Sequence, residues 1–326
     1  MEYIKLGNTG MEVSKIALGC MSFGDKSKWF HKWVLDEADT KKMIDQAIAL
    51  GINFFDTANV YSMGSSEEFL GRALKGYNRD QLVVATKVFM KMHEGPNAGG
   101  LSRKAILAEA DNSLKRLGID YIDLYITHRW DKDTPIEETL DALDSLVKAG
   151  KVRYIGASAM YAWQFQKALH VSEKYGLAKF VSMQNHYNLL YREEEREMVP
   201  LCIDQNIGLT PYSPLAAGRL SRPLTDDPTG RSSTDETAKK KYDSTLTDDV
   251  KIIERVADLA HTHGVSMSQI ALAWLLHQPQ LCAPIVGTTK LTQLEDSVKA
   301  VSLKLTPSEL TFLEELYLPH KVMGAL

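Results

Sequence analysis

Eight short apolar segments recur along this chain, separated by stretches with helical periodicity. The segments are Ala17–Cys20, Ile52–Asp56, Leu82–Lys87, Tyr121–His128, Val152–Ser158, Phe180–Gln184, Gly208–Tyr212 and Ala283–Gly287. Helical patterns fall near Asp36–Leu50, Ser66–Leu74, Ser102–Leu117, Pro135–Ala149, Ala162–Tyr175, Arg192–Gln205, Asp248–His277 (broken at Gly264) and Thr292–Ala300. Most strands are apolar on both faces, as needed when helices cover each one. This repetition of strand and helix predicts an α/β fold, a (β/α)8 TIM barrel rather than an open doubly wound sheet. Residues 2–14 read as a hairpin around Gly7-Asn8-Thr9-Gly10, plugging one end, and Pro307 to about Tyr317 as an extra C-terminal helix. No linker composition interrupts the chain, so residues 1–326 read as one barrel domain, a length such barrels reach.

Charge narrows the partners. A net charge of -4 with scattered Lys and Arg argues against nucleic acid or an anionic membrane surface. The one dense run, Lys239-Lys240-Lys241, reads as part of a solvated loop. Cys20, Cys202 and Cys282 are far apart, match no metal or disulfide spacing, and read as buried apolar residues in a reducing compartment. The N-terminus carries Glu2, Lys5, Glu12 and Lys15 and lacks a signal-like apolar stretch, and Ile270–Leu276 is too short to span a bilayer. A cytoplasmic protein is expected. Residues 219–246, rich in Thr, Asp, Ser and Lys, read as a long irregular lid, and residues 88–101 as a second mobile stretch.

In a barrel of this kind the active site lies at the carboxyl ends of the strands. Three successive strands end in Asp56, Lys87 and His128, and Tyr61 follows Asp56 on the loop. A lone lysine after a strand usually reaches to water, and a lone histidine is usually a hydrogen-bonded core residue. Four titratable groups arriving together at one patch favour a site that handles protons.

These four residues resemble the catalytic tetrad of the aldo-keto reductases. The flanking Leu18-Gly19, Asp56-Thr57-Ala58, Gln184 and Pro211-Tyr212-Ser213-Pro214-Leu215 are similar too, and the likeness extends along the whole chain, toward the general bacterial and fungal branch related to potassium-channel β subunits. The resemblance implies NADPH-dependent reduction of a small-molecule carbonyl substrate. Hydride addition builds negative charge on the carbonyl oxygen, which calls for a proton donor there. Tyr61 would be that general acid. Lys87 would lower its pKa, Asp56 would hold Lys87 charged, and neutral His128 would orient the carbonyl.

The same resemblance assigns Ser158 and Gln184 to the nicotinamide carboxamide and Tyr212 to stacking on its ring. Ala159 departs from the asparagine common in the family. Further cofactor contacts implied are Gly19, Cys20, Met21, Asp56, Ser213, Leu215 and Gly218. Gly287, Thr289, Lys290 and Gln293 run from a strand into a helix amino terminus, suited to a phosphate. Lys290 there favours NADPH over NADH. Asp296 and Ser297 stand where the family contacts adenine. Neither GxGxxG nor GxxxxGK[ST] occurs in a competing position. Trp33, Phe89 and Trp130, with Trp29 and Phe30 nearby, are candidates for an aromatic substrate pocket. Two rivals compete: an NADP(H)-binding regulatory subunit, and an aldolase using Lys87 as a Schiff-base amine. Interface signatures and metal-ligand spacing are absent from the sequence pattern, so it leaves oligomeric state open and predicts no metal.

Overall fold

A computed structural model describes residues 1–29, 31, 33–224 and 235–323. Strands β1 (Tyr3–Lys5) and β2 (Glu12–Ser14) form an antiparallel hairpin. The eight-stranded sheet that follows comprises β3 (Ala17–Gly19), β4 (Phe54–Asp56), β5 (Val83–Val88), β6 (Ile122–Thr127), β7 (Val152–Ser158), β8 (Phe180–Gln184), β9 (Gly208–Leu209) and β10 (Ile285–Val286), in the order β10-β3-β4-β5-β6-β7-β8-β9. All its pairings are parallel. Hydrogen bonds from Leu209 N to Gln280 O (2.8 Å), Cys282 N to Leu209 O (2.9 Å) and Ile285 N to Pro211 O (2.9 Å) bring the two edges together. This is the expected (β/α)8 barrel with its hairpin.

Alternation along each strand sorts the side chains. Ala17, Phe54, Val83, Ala85, Leu124 and Ile126 point inward and pack with Leu6 and Val13 of the hairpin segment. Leu18, Phe55 and Val84 point outward under the helices. Leu6 thus stoppers the barrel at the strands' amino ends. Gly7 fits there only without a side chain: its φ is +51°, and a Cβ would lie 2.6 Å from Gly208 N and from Val181 O.

The helices follow the expected order with shifted ends. β9 and β10 are shorter than predicted because Pro211 and Pro284 beside them have no N–H to donate. The stretch 192–205 splits into a 3-10 turn (Glu193–Glu195) and a helix (Met198–Asp204). The break at Gly264 is present: helix Leu246–His263 ends on Gly264 in the left-handed conformation, and Ser266 caps helix Met267–Leu276. The closing helix spans Pro307–Glu314, with a capping box at Thr306 and Glu309.

One expectation is corrected. Within 219–246, residues 236–242 form a helix rather than an irregular lid, capped by Asp235, whose side chain accepts from Ala238 N. Ala238 and Tyr242, four residues apart, supply the buried stripe that its polar composition concealed. Lys241 is half-buried over the Tyr212 ring (4.7 Å), not solvated. Residues 225–234 of that stretch lie outside the described residues. Among the described residues, the three cysteines are free and buried, no cluster of ligands gathers to hold a metal, and no helix is long and apolar enough to cross a membrane.

Candidate active site

The inward alternation that builds the core also builds the site. On β5, Val83, Ala85 and Lys87 share the inner face; on β6 and just beyond it, Leu124, Ile126 and His128 do. Asp56 follows Phe54 by two on β4. Asp56, Lys87 and His128 therefore form the top inward layer, all buried, above apolar layers that deny them water.

Lys87 Nζ donates to Asp56 Oδ2 (2.6 Å), to Thr57 O (2.8 Å) and to the Tyr61 hydroxyl (3.3 Å). Its ammonium also stands 4.9 Å from the Tyr61 ring centroid. Gln184 Nε2 donates to the other Asp56 oxygen at 2.8 Å. His128 meets Tyr61 edge-on at 5.9 Å between ring centroids. The four predicted residues are thus within one contact network, with Gln184 as a fifth member.

Their protonation follows from burial and charge. Burial alone would lower the Lys87 pKa, but Asp56 and Tyr61 outweigh it, and the ammonium is held above its ordinary range. Burial pushes the Tyr61 phenol up, and Lys87 offsets this only in part because Asp56 opposes it. Lys87 does pull the Tyr61 pKa down, as expected, but desolvation prevails, so the net shift is upward and the proton stays on oxygen near neutrality. His128 is driven well below the usual imidazole value by burial, then by Lys87 and Arg129, so the ring is neutral. Its Nδ1 has no partner among the described residues.

The loop carrying Tyr61 is held by polar groups that the sequence did not single out. Thr86, pointing outward between Ala85 and Lys87, donates to Glu67 Oε1 (2.5 Å). Arg116 bridges Glu67 (2.5 Å) and Glu109 (3.3 Å), and Asn59 Nδ2 donates to Glu109 Oε2 (2.9 Å). Glu67 is fully buried. Ser62 and Met63 adopt left-handed φ of 48° and 49°, a strained turn immediately after Tyr61. The available signal was one carboxylate on each of two helices, Glu67 and Glu109, with Arg116 seven residues after Glu109, and it resembles an ordinary solvated face.

The residues assigned to a cofactor occupy the neighbouring rim. Ser158 ends β7, and its hydroxyl is buried with no partner among the described residues. That orphan donor, beside Gln184, suits an amide. Tyr212 is half-buried, backed by the His186 ring at 5.3 Å and nearly parallel to it. Ser213 and Ala217 after it have positive φ, and Gly218 N donates to Leu215 O (2.8 Å), making a tight turn. Ala159 has φ of +48°, a conformation that asparagine tolerates better than alanine.

Gly19 packs on Ile285, where a Cβ would meet Cγ2 at 2.8 Å. Cys20 is buried with its carbonyl accepting from Ser66 Oγ, and Met21 is half-buried beside it. Past β10, Gly287 is exposed with open space at its missing Cβ. Thr289 and Lys290 precede helix Leu291–Lys299 and Gln293 lies in its first turn; the amino end of that helix has no side-chain cap. That leaves backbone N–H groups for an anion. Asp296 is otherwise engaged, accepting from Ser266 Oγ and from Gln269 Nε2 (2.5 Å), and Ser297 donates to Gln293 O in its own helix.

Of the described aromatic candidates, Trp29 meets Tyr61 edge-on, with 6.4 Å between ring centroids. Trp33 packs on His31 (4.7 Å), Trp130 on Trp163 (6.2 Å), and Phe89 on the main core. Phe30 lies outside the described residues.

Comparison with known proteins gives the family. The aldo/keto reductase family profile matches residues 15–318. A versiconal hemiacetal acetate reductase of Aspergillus parasiticus is 43% identical, over 99% of this chain and 98% of its own length. A putative aryl-alcohol dehydrogenase of Schizosaccharomyces pombe is 42% identical over 98% and 97%. An aldo-keto reductase of Metarhizium robertsii is 40% identical over 99% and 93%. By profile, by these relatives and by its barrel, the chain belongs to the aldo/keto reductase family.

Proposed function

We propose that this aldo/keto reductase reduces small aldehydes or ketones with NADPH, and that Tyr61 is the general acid. The observation that carries the proposal is the contact of one buried ammonium, Lys87 Nζ, with both Asp56 and the Tyr61 hydroxyl. NADPH, when bound, supplies the hydride that adds to the carbonyl carbon. The developing oxyanion takes the phenolic proton of Tyr61, and the phenolate left behind is stabilised by Lys87, whose charge Asp56 secures. Neutral His128 fixes the carbonyl oxygen without competing to deliver a proton. Ser158, Gln184 and Tyr212 would hold the nicotinamide; Gly287, Thr289, Lys290 and Gln293 would hold phosphate. The names of the relatives, an aryl-alcohol dehydrogenase among them, together with Trp29 beside Tyr61, favour aromatic carbonyls. The protein is expected to act in the cytoplasm.

The test is NADPH oxidation with a panel of aromatic aldehydes, α-dicarbonyls and sugar aldehydes, run beside Tyr61→Phe. The expected result is turnover that falls by about 10²–10⁴-fold in the variant while NADPH still binds. Cofactor binding without turnover of any substrate would instead support a regulatory subunit. Wild-type rates in Tyr61→Phe would refute the assignment of the acid.

A further inference from the structure

His186 lies two residues past Gln184, outside every role assigned so far. It is fully buried, and its ring is stacked between Tyr191 (4.2 Å, 15°) and Tyr212 (5.3 Å, 10°). A phenylalanine would serve a mere stack as well. What a phenylalanine lacks is used here: Nε2 lies 2.7 Å from the Tyr242 hydroxyl. Asn188 Nδ2 donates to that hydroxyl (3.1 Å), leaving its hydrogen for the imidazole, and also donates to Ser213 O (2.9 Å) beside Tyr212. Tyr242 is the last residue of helix Glu236–Tyr242, and the preceding Lys241 rests over the Tyr212 ring. One buried imidazole thus touches both the aromatic platform and the element that reaches across it.

We propose that His186 is a positioning residue that couples the Tyr212 platform to the docking of helix Glu236–Tyr242, so that cofactor binding and helix docking reinforce each other. The inference rests on the reading of Tyr212 as the nicotinamide platform. The stack restricts the tilt of Tyr212, and the bond to Tyr242 ties that tilt to the helix position. Coupling of this kind is reciprocal: whatever steadies Tyr212 steadies the helix, and loosening the helix weakens binding.

The experiment uses the full chain and the variants His186→Ala, His186→Phe, Tyr242→Phe and Tyr212→Ala. NADPH affinity is read from nicotinamide fluorescence, KM for NADPH and kcat from turnover of an aromatic aldehyde, and helix docking from trypsin cleavage at Lys239–Lys241 with and without NADPH. Melting without cofactor reports the fold. His186→Ala is expected to weaken NADPH binding by roughly three- to tenfold, the size of one aromatic stack, with the loss larger in KM than in kcat. It should also lose NADPH protection of the lysines. His186→Phe and Tyr242→Phe, which keep the stack but cut the bond, should lose the protection together with the smaller share of the affinity that helix docking contributes.

Wild-type affinity and protection in both His186→Ala and Tyr242→Phe would overturn the proposal, as would variants that shift melting alone. The milder Tyr242→Phe keeps the test decisive if His186→Ala fails to fold. Tyr212→Ala separates the two readings. Weakened NADPH binding there with normal His186 variants sinks only the coupling, whereas unchanged binding in Tyr212→Ala removes the platform itself and the coupling with it.

Discussion

Lys87 is a full charge at complete burial, tolerated because Asp56 lies 2.6 Å away and Thr57 O and Tyr61 take its remaining donors. Breaking such a pair from one side costs far more than replacing both partners. Asp56→Asn should lower stability by about 3–5 kcal/mol in urea titrations, and the double variant Asp56→Leu/Lys87→Met should recover much of that while remaining inactive. The buried histidines leave a different mark. His128 and His186 are both held well below the ordinary imidazole range by burial, so the unfolded chain binds protons that the folded one refuses. Their effect is absent above the unfolded value of about 6.5. Below it, stability should fall by about 1.4 kcal/mol per pH unit for each histidine until the folded value is reached. The urea midpoint should therefore drop between pH 7 and pH 5, and His186→Phe should make that slope shallower by one histidine's share.

At the scale of elements, the hairpin and the helix Glu236–Tyr242 are two of the devices added to the repeating barrel. Gly7→Ala forces a Cβ against two backbone atoms at positive φ. It should lower stability by about 1–3 kcal/mol, read by thermal melting, with turnover per folded molecule retained because the lesion lies at the far end. Removing the cap with Asp235→Ala should loosen helix Glu236–Tyr242 by about 1 kcal/mol and hasten trypsin cleavage at Lys239–Lys241. The strands were legible as short apolar runs set between helical patterns, and the rule that barrel sites lie at strand carboxyl ends brought Asp56, Lys87 and His128 to one patch. Helix Glu236–Tyr242 was hidden, since a seven-residue helix with only Ala238 and Tyr242 buried leaves almost no periodic trace. The Glu67–Arg116–Glu109 bridge was illegible for another reason. Long charged side chains read as solvent-facing until the packing of two helices encloses them. The pull of Lys87 on the Tyr61 pKa was legible and its net direction was not, because a sequence reveals which charges are near but not how much water is gone.

For the whole molecule, ligand linkage gives a measure that needs no substrate. If NADPH binds the folded chain alone, a concentration one hundredfold above its Kd should stabilise it by about 2.7 kcal/mol. The melting temperature should rise by several degrees, and equal NADH should raise it less if Lys290 reads a 2′-phosphate. An unchanged melting temperature at saturating NADPH would count against the cofactor. The stopper at the strands' amino ends has a consequence for traffic. With Leu6 and Val13 filling that end, the tube is a blind alley, and whatever reaches Lys87 and Tyr61 must leave by the door through which it came. Arrivals and departures queue at a single threshold, so a bulky visitor lingering there delays every other exit.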